Sequence, residues 1–110
     1  MNLSKRTHFE RHNCPTQQAV MLIGDKWTLF ILREFIFGEQ KQGFNKLIRA
    51  LKPISSRTLA LKLRKLLDSK LIVKRTISKN PPRGEYSITS KGLALRRSFS
   101  ELAQWYNENP

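Results

Sequence analysis

Two helical apolar stripes separated by only three residues constrain this chain more than any other feature. Phe44, Leu47, Ile48 and Leu51 recur at i, i+3, i+4 and i+7, the spacing of an amphipathic helix about two turns long. Lys52-Pro53-Ile54 then interrupts it, because proline has no N–H with which to continue a helix. The pattern resumes in SSRTLALKLRKLLDSK, which opens on a serine suited to an N-cap and sets Leu59, Leu63, Leu66 and Leu67 on one face. Two helices therefore meet across a tight turn, and each has one face to bury. On the second, the face opposite the leucines carries Arg57, Thr58, Leu61, Arg64 and Lys65, with Ser56 and Lys62 on its flanks.

The segments on either side extend the plan. Residues 1–13 lack steady periodicity and read as an arm, leaving 14–110 as one domain. Cys14-Pro15-Thr16 can open a helix from about Thr16 to Ile23, and Gly24-Asp25 breaks it. Lys26 to Phe37 is a helix apolar around most of its circumference, which places it at the centre of the fold, and Gly38 ends it. Glu39 to Gly43 is a polar connection with room for a short extended segment. After the paired helices, Leu71–Ile77, rich in β-branched residues, reads as a strand, Ser78–Gly84 as a turn and Glu85–Ile88 as a return strand. Thr89 or Ser90 caps one last helix, with Leu95, Phe99, Leu102 and Tyr106 on a single face. The expected fold class is mostly α with a small β-hairpin: a winged helix-turn-helix, with two helices before the motif and one after the wing.

Charge falls on this plan unevenly. Residues 41–83 hold thirteen Lys and Arg against one acid, Asp68, a local excess of +12 in a chain whose net charge is +13. A field so concentrated attracts a polyanion to one region, and the major groove of duplex DNA admits one α-helix whose first residues reach base edges. Ser55, Ser56, Arg57 and Thr58 lie where such reading occurs. Arg57 is the leading reader, since a guanidinium can donate two hydrogen bonds to guanine. Leu61 shares the face, and Lys62 and Lys65, farther along, suit backbone phosphates. Lys79 and Arg83 stand at the hairpin tip, Lys74 and Arg75 on its stem, and the Pro-Pro apex limits the entropy lost on docking. Lys41, Asn45 and Lys46 are placed for phosphates near the first helix of the motif. The competing class is a winged-helix module that turns the same surface to RNA or an acidic protein.

Several ordered fragments sharpen the expectation: Cys14-Pro15, Ile23-Gly24-Asp25-Lys26-Trp27 followed by Ile31-Leu32-Arg33-Glu34, Ile54-Ser55-Ser56-Arg57-Thr58-Leu59, the run from Pro81 to Thr89, Gly92, and Leu102-Ala103-Gln104-Trp105. In these the chain resembles the HxlR-type helix-turn-helix transcriptional regulators, relatives of the MarR group. The resemblance implies a homodimeric DNA-binding repressor or activator joined through its terminal helices. Two positions depart from the family pattern. Lys70 stands where glycine is usual after the recognition helix, and a left-handed lysine there costs on the order of 1 kcal/mol. Gly84 replaces the usual apolar residue after Pro-Pro-Arg, which bears on the geometry of the wing.

The rich apolar surface of the Lys26–Phe37 helix supports a dimer with the first and last helices. Two-fold symmetry then sets two recognition helices roughly 34 to 36 Å apart and calls for a near-palindromic operator in double-stranded DNA. Trp27, Phe30 and Phe35, like Phe99, Trp105 and Tyr106, follow helical spacing and read as core or dimer packing rather than a ligand pocket. Cys14, the one cysteine, precedes a helix N-terminus and has Arg11 and His12 nearby, influences that lower a thiol pKa, so it is a candidate redox or electrophile sensor. Some HxlR-type regulators use an N-terminal cysteine in that way. His8, His12 and Cys14 offer at most three ligands on an arm, so no metal and no cofactor is expected. The sequence has neither a phosphate-binding glycine loop nor paired carboxylates in a polar setting, which argues against an enzyme. With no signal peptide and no apolar run of about 18 residues, the expected setting is cytoplasmic, without a membrane.

Overall fold

The computed structural model describes residues 14–79 and 82–110. The expected arm, with His8 and His12, lies outside the described residues, as do Asn80 and Pro81 at the hairpin apex. Helix α1 spans Pro15–Ile23, one residue earlier than the Thr16 start expected, because the fixed φ of Pro15 suits the first turn and Cys14 takes the N-cap position. Helix α2, Lys26–Phe37, begins at Asp25, whose side chain accepts the Thr28 N–H. It does run through the centre, burying Ile31, Leu32, Phe35 and Ile36 almost completely.

Strand β1 (Lys41–Gln42) occupies the polar connection. Gln42 is buried, and its amide donates to the carbonyl oxygens of Glu34 and Glu39, both at 2.9 Å, so the chain leaving α2 is pinned back onto it. Helix α3 (Phe44–Ala50) and helix α4 (Ser56–Asp68) follow, and they bury Leu47 from the first and Leu59, Leu63 and Leu66 from the second against α2. Leu51 and Ile54 close the turn between them from beneath.

The exit from α4 bears out the expectation for Lys70, which has a φ of 62°. The Lys70 N–H bonds to the Leu67 carbonyl and the Leu71 N–H to the Leu66 carbonyl, both at 3.0 Å, the paired bonds of a Schellman ending. Leu66 and Leu71 are both buried beside it, so packing and two satisfied carbonyls hold lysine in a conformation glycine adopts more easily.

Strands β2 (Ile72–Lys79) and β3 (Pro82–Ile88) form the wing, and the sheet order β1-β3-β2 is antiparallel throughout. Both strands run farther toward the apex than expected, so Ser78, Lys79 and residues 82–84, drawn as part of the turn, belong to the strands. A bulge interrupts the register: Thr76 pairs with Gly84 but Ser78 with Arg83, leaving Ile77 as an extra residue before Lys79 pairs with Pro82.

The single last helix expected is two. Helix α5 (Ser90–Leu93) is capped by Thr89, whose hydroxyl oxygen accepts the Gly92 N–H at 3.2 Å. Helix α6 (Arg96–Glu108) follows after Ala94 and Leu95. A Cβ at Gly92 would stand 2.6 Å from both the Leu71 carbonyl oxygen and Ile88, so α5 packs closely on the start of the sheet. Arg96 ties the start of α6 to the end of α2 by donating to the Ile36 carbonyl at 2.8 Å.

Candidate nucleic-acid interface

The start of α4 divides the four expected base readers. Ser55 is the N-cap, its hydroxyl oxygen accepting the Thr58 N–H at 3.0 Å and lying 3.0 Å from the Thr58 hydroxyl. These two side chains are engaged in beginning the helix. Ser56 and Arg57 are exposed ahead of them, and Leu61, 61% exposed, continues the same face one turn on. Ser55 and Thr58 thus build the platform from which Ser56, Arg57 and Leu61 project.

The cations farther along α4 are arranged otherwise than the sequence suggests. Lys62 lies 3.4 Å and Lys65 3.5 Å from the carboxylate of Asp25, so the two lysines expected to face phosphates are drawn toward the start of α2. The reason is that Asp25 is already fixed by two hydrogen bonds from Thr28, 2.9 Å from its N–H and 2.7 Å from its hydroxyl, and makes a rigid negative point beside α4. Partial burial pushes the Asp25 carboxyl up. The Thr28 hydrogen bonds and the nearby Lys62 ammonium outweigh it, and the pKa settles at about 2. Arg64 pairs with Asp68 one turn on, at 3.4 Å. Among the described residues Arg57 is therefore the α4 cation with no carboxylate partner.

On α3, Asn45 is exposed at the N-terminal turn, while Lys46 is held by Glu39 at 2.6 Å. In the wing, Arg75 pairs with Glu85 across the strands at 3.3 Å, and Lys74 lies over the Tyr86 ring at 5.5 Å. Gly84 makes that crossing possible, since a Cβ there would fall 2.5 Å from Lys74 Cε. Lys79 and Arg83 are exposed at the strand ends next to the apex. The fold brings α3, the face of α4 and the wing into one molecule with Arg57, Lys79 and Arg83 free of ion pairs among the described residues. Sequence reasoning missed Asp25 as the partner of two recognition-helix lysines, and no local pattern reveals a contact 40 residues apart.

Cys14 is fully buried at the start of α1. Among the described residues no three His, Cys, Asp or Glu side chains gather to hold a metal, and no helix is long and apolar enough to cross a membrane. Leu102, Trp105 and Tyr106 on α6 are 60%, 59% and 61% exposed, and Val20 and Met21 on α1 are exposed with them.

The profile of the HxlR-like helix-turn-helix family matches residues 22–110. Over 85 residues, 77% of this chain, the sequence is 40% identical to an HTH-type transcriptional regulator of Synechocystis, spanning 62% of that protein's length. In three dimensions it resembles a Porphyromonas gingivalis W83 protein assigned to the MarR family, with a TM-score of 0.80 and 30% identity over 91% of this chain and 96% of that one. It also resembles the redox regulator HypR in its reduced form, with a TM-score of 0.77 and 29% identity over 86% of this chain and 92% of the other.

Proposed function

The chain belongs to the HxlR-like helix-turn-helix family, and on that premise we propose that it is a transcriptional regulator that binds double-stranded DNA sequence-specifically as a homodimer. The observation that carries the reading is Arg57, exposed in the first turn of a Ser55-capped helix and left without a carboxylate, while Lys62 and Lys65 share Asp25 and Arg64 pairs with Asp68. A free guanidinium at that place on a helix is the group that reads guanine in a major groove. Ser56 and Leu61 complete the reading face. Asn45 and Lys46 on α3 and Arg75, Lys79 and Arg83 in the wing bind the sugar–phosphate backbone. Ser55 and Thr58 position the helix start, and Lys62 and Lys65 contribute diffuse positive charge from beside Asp25. No observation favours RNA or an acidic protein in place of DNA.

The dimer would use α1 and α6. Leu102, Trp105 and Tyr106 on α6 and Val20 and Met21 on α1 are large apolar side chains left exposed, as a partner copy would cover them. Two-fold pairing there makes the operator near-palindromic. Regulation through Cys14 is part of the same proposal. Its support is the thiol's place at the N-cap of α1, together with the likeness to a redox regulator. Because the thiol is buried, modifying it must displace what covers it, and so couples chemistry to conformation.

A salt titration tests the DNA reading. With about 6 to 10 phosphates contacted, affinity for a duplex falls roughly 10³- to 10⁵-fold between 50 and 200 mM salt. A flat response contradicts it. Alkylation of Cys14 followed by the same binding measurement tests the regulatory part, and unchanged affinity removes Cys14 from it.

A further inference from the structure

A cleft of about 450 Å³ opens between α3 and the wing, with Gly43, Asn45, Lys46 and Arg49 on one side and Arg83 and Gly84 on the other. Three cations from two separate elements thus face one hollow, and they are not equivalent. Lys46 pairs with Glu39 at 2.6 Å, and Glu85, next to Gly84, pairs with Arg75 at 3.3 Å. Arg49 and Arg83 form no ion pair among the described residues. Both nearby carboxylates are therefore spent on other cations, and two guanidiniums are left to face the same space.

Like charges across a cleft repel until an anion enters, and a guanidinium offers a planar pair of N–H donors matched to phosphate oxygens. The walls suit such a guest. A Cβ at Gly43 would stand 3.8 Å from the Gly84 carbonyl oxygen, so the start of α3 and the wing come close together at the floor of the cleft. Arg49 is exposed on the last turn of α3 and contributes nothing to the core, so the fold itself gives no reason for its position.

We propose that this cleft is a phosphate site that grips one phosphate of the DNA backbone, with Arg49 as the jaw opposite Arg83. The assignment rests on the DNA-binding reading above and adds to it a clasp that fixes the wing and the helix-turn-helix motif on the same stretch of backbone. Arg49 then positions the complex without reading sequence.

The test compares the full chain with R49A and R49K on a selected duplex and on an unrelated one, with thermal melts to show that the exposed substitutions leave folding intact. R49A is expected to weaken both duplexes by the same factor, roughly fivefold at 0.15 M salt, and to reduce the slope of log affinity against log salt by about 0.9. R49K keeps the slope. Ethylation of single phosphates identifies the partner: one position per half-site weakens wild type but no longer affects R49A. Wild-type affinity and slope in R49A, or an unchanged ethylation pattern, overturns the clasp while leaving the DNA reading in place. Wild type that binds no duplex overturns both. A melting shift with inorganic phosphate that R49A abolishes, with duplex affinity unaltered, reassigns the site to a free anion and rejects the backbone assignment.

Discussion

The ammonium of Lys62 lies 3.4 Å from the carboxylate of Asp25, the residue that caps α2, so α4 is tied by charge to the start of the central helix. The bond has a pH signature. Asp25 has a folded pKa of about 2 against 3.8 in its ordinary state, so its contribution is fully present above about pH 4 and is lost as pH falls toward 2. With the side chain 34% exposed, solvent screening reduces the contribution to about 1 kcal/mol. Asp25→Ala is therefore expected to destabilise the protein by about 1 to 2 kcal/mol at pH 7, cap included, and by less at pH 2.5. Urea unfolding at the two pH values measures this. An equal penalty at both contradicts the charged role.

Lys70 sits at a φ of 62° in the Schellman ending of α4. Glycine enters that region without the steric penalty of a Cβ, although it loses more chain entropy on folding. Lys70→Gly is expected to raise stability by roughly 0.5 to 1 kcal/mol, seen as a higher urea midpoint at unchanged slope. A lower midpoint would mean that the lysine side chain contributes more than its backbone costs.

Gly92 and Gly43 make a contrasting pair. A methyl at Gly92 meets the Leu71 backbone oxygen at 2.6 Å, which cannot yield without moving the sheet, whereas one at Gly43 meets nothing nearer than 3.8 Å. Gly92→Ala should destabilise by about 1 to 3 kcal/mol and Gly43→Ala by much less. Similar melting temperatures for the two variants would place α5 farther from the sheet.

The exposed apolar side chains of α6 predict an oligomeric state. Trp105→Asp is expected to convert a dimer to a monomer in sedimentation equilibrium and to weaken operator binding with it, since two half-sites then lose their linkage. A wild-type monomer, or a dimer indifferent to Trp105, moves the interface elsewhere.

Elements with a local cause were legible in the sequence. The 44, 47, 48, 51 stripe, the Ser55 cap and the leucine face of α4 follow from spacing and capping chemistry, and the structure forms all of them. The glycine missing at Lys70 was legible too. The departures have distant causes. The close approach of Gly92 to Leu71 and the bulge at Ile77 depend on how segments distant in sequence come together. A helical wheel placed Lys62 and Lys65 toward solvent, but their shared contact with Asp25 depends on how α2 packs on α4, which no wheel contains.

The proposed role of Arg57 as a base reader has a direct test. The most direct measurement selects duplexes from a random pool with wild type, then compares Arg57→Ala on the selected duplex and on a scrambled one. The expected result is a near-palindromic selected site and a loss of about 1 to 3 kcal/mol confined to that site, with scrambled DNA bound almost as before. No enrichment from the pool, or an equal loss on both duplexes, would contradict it.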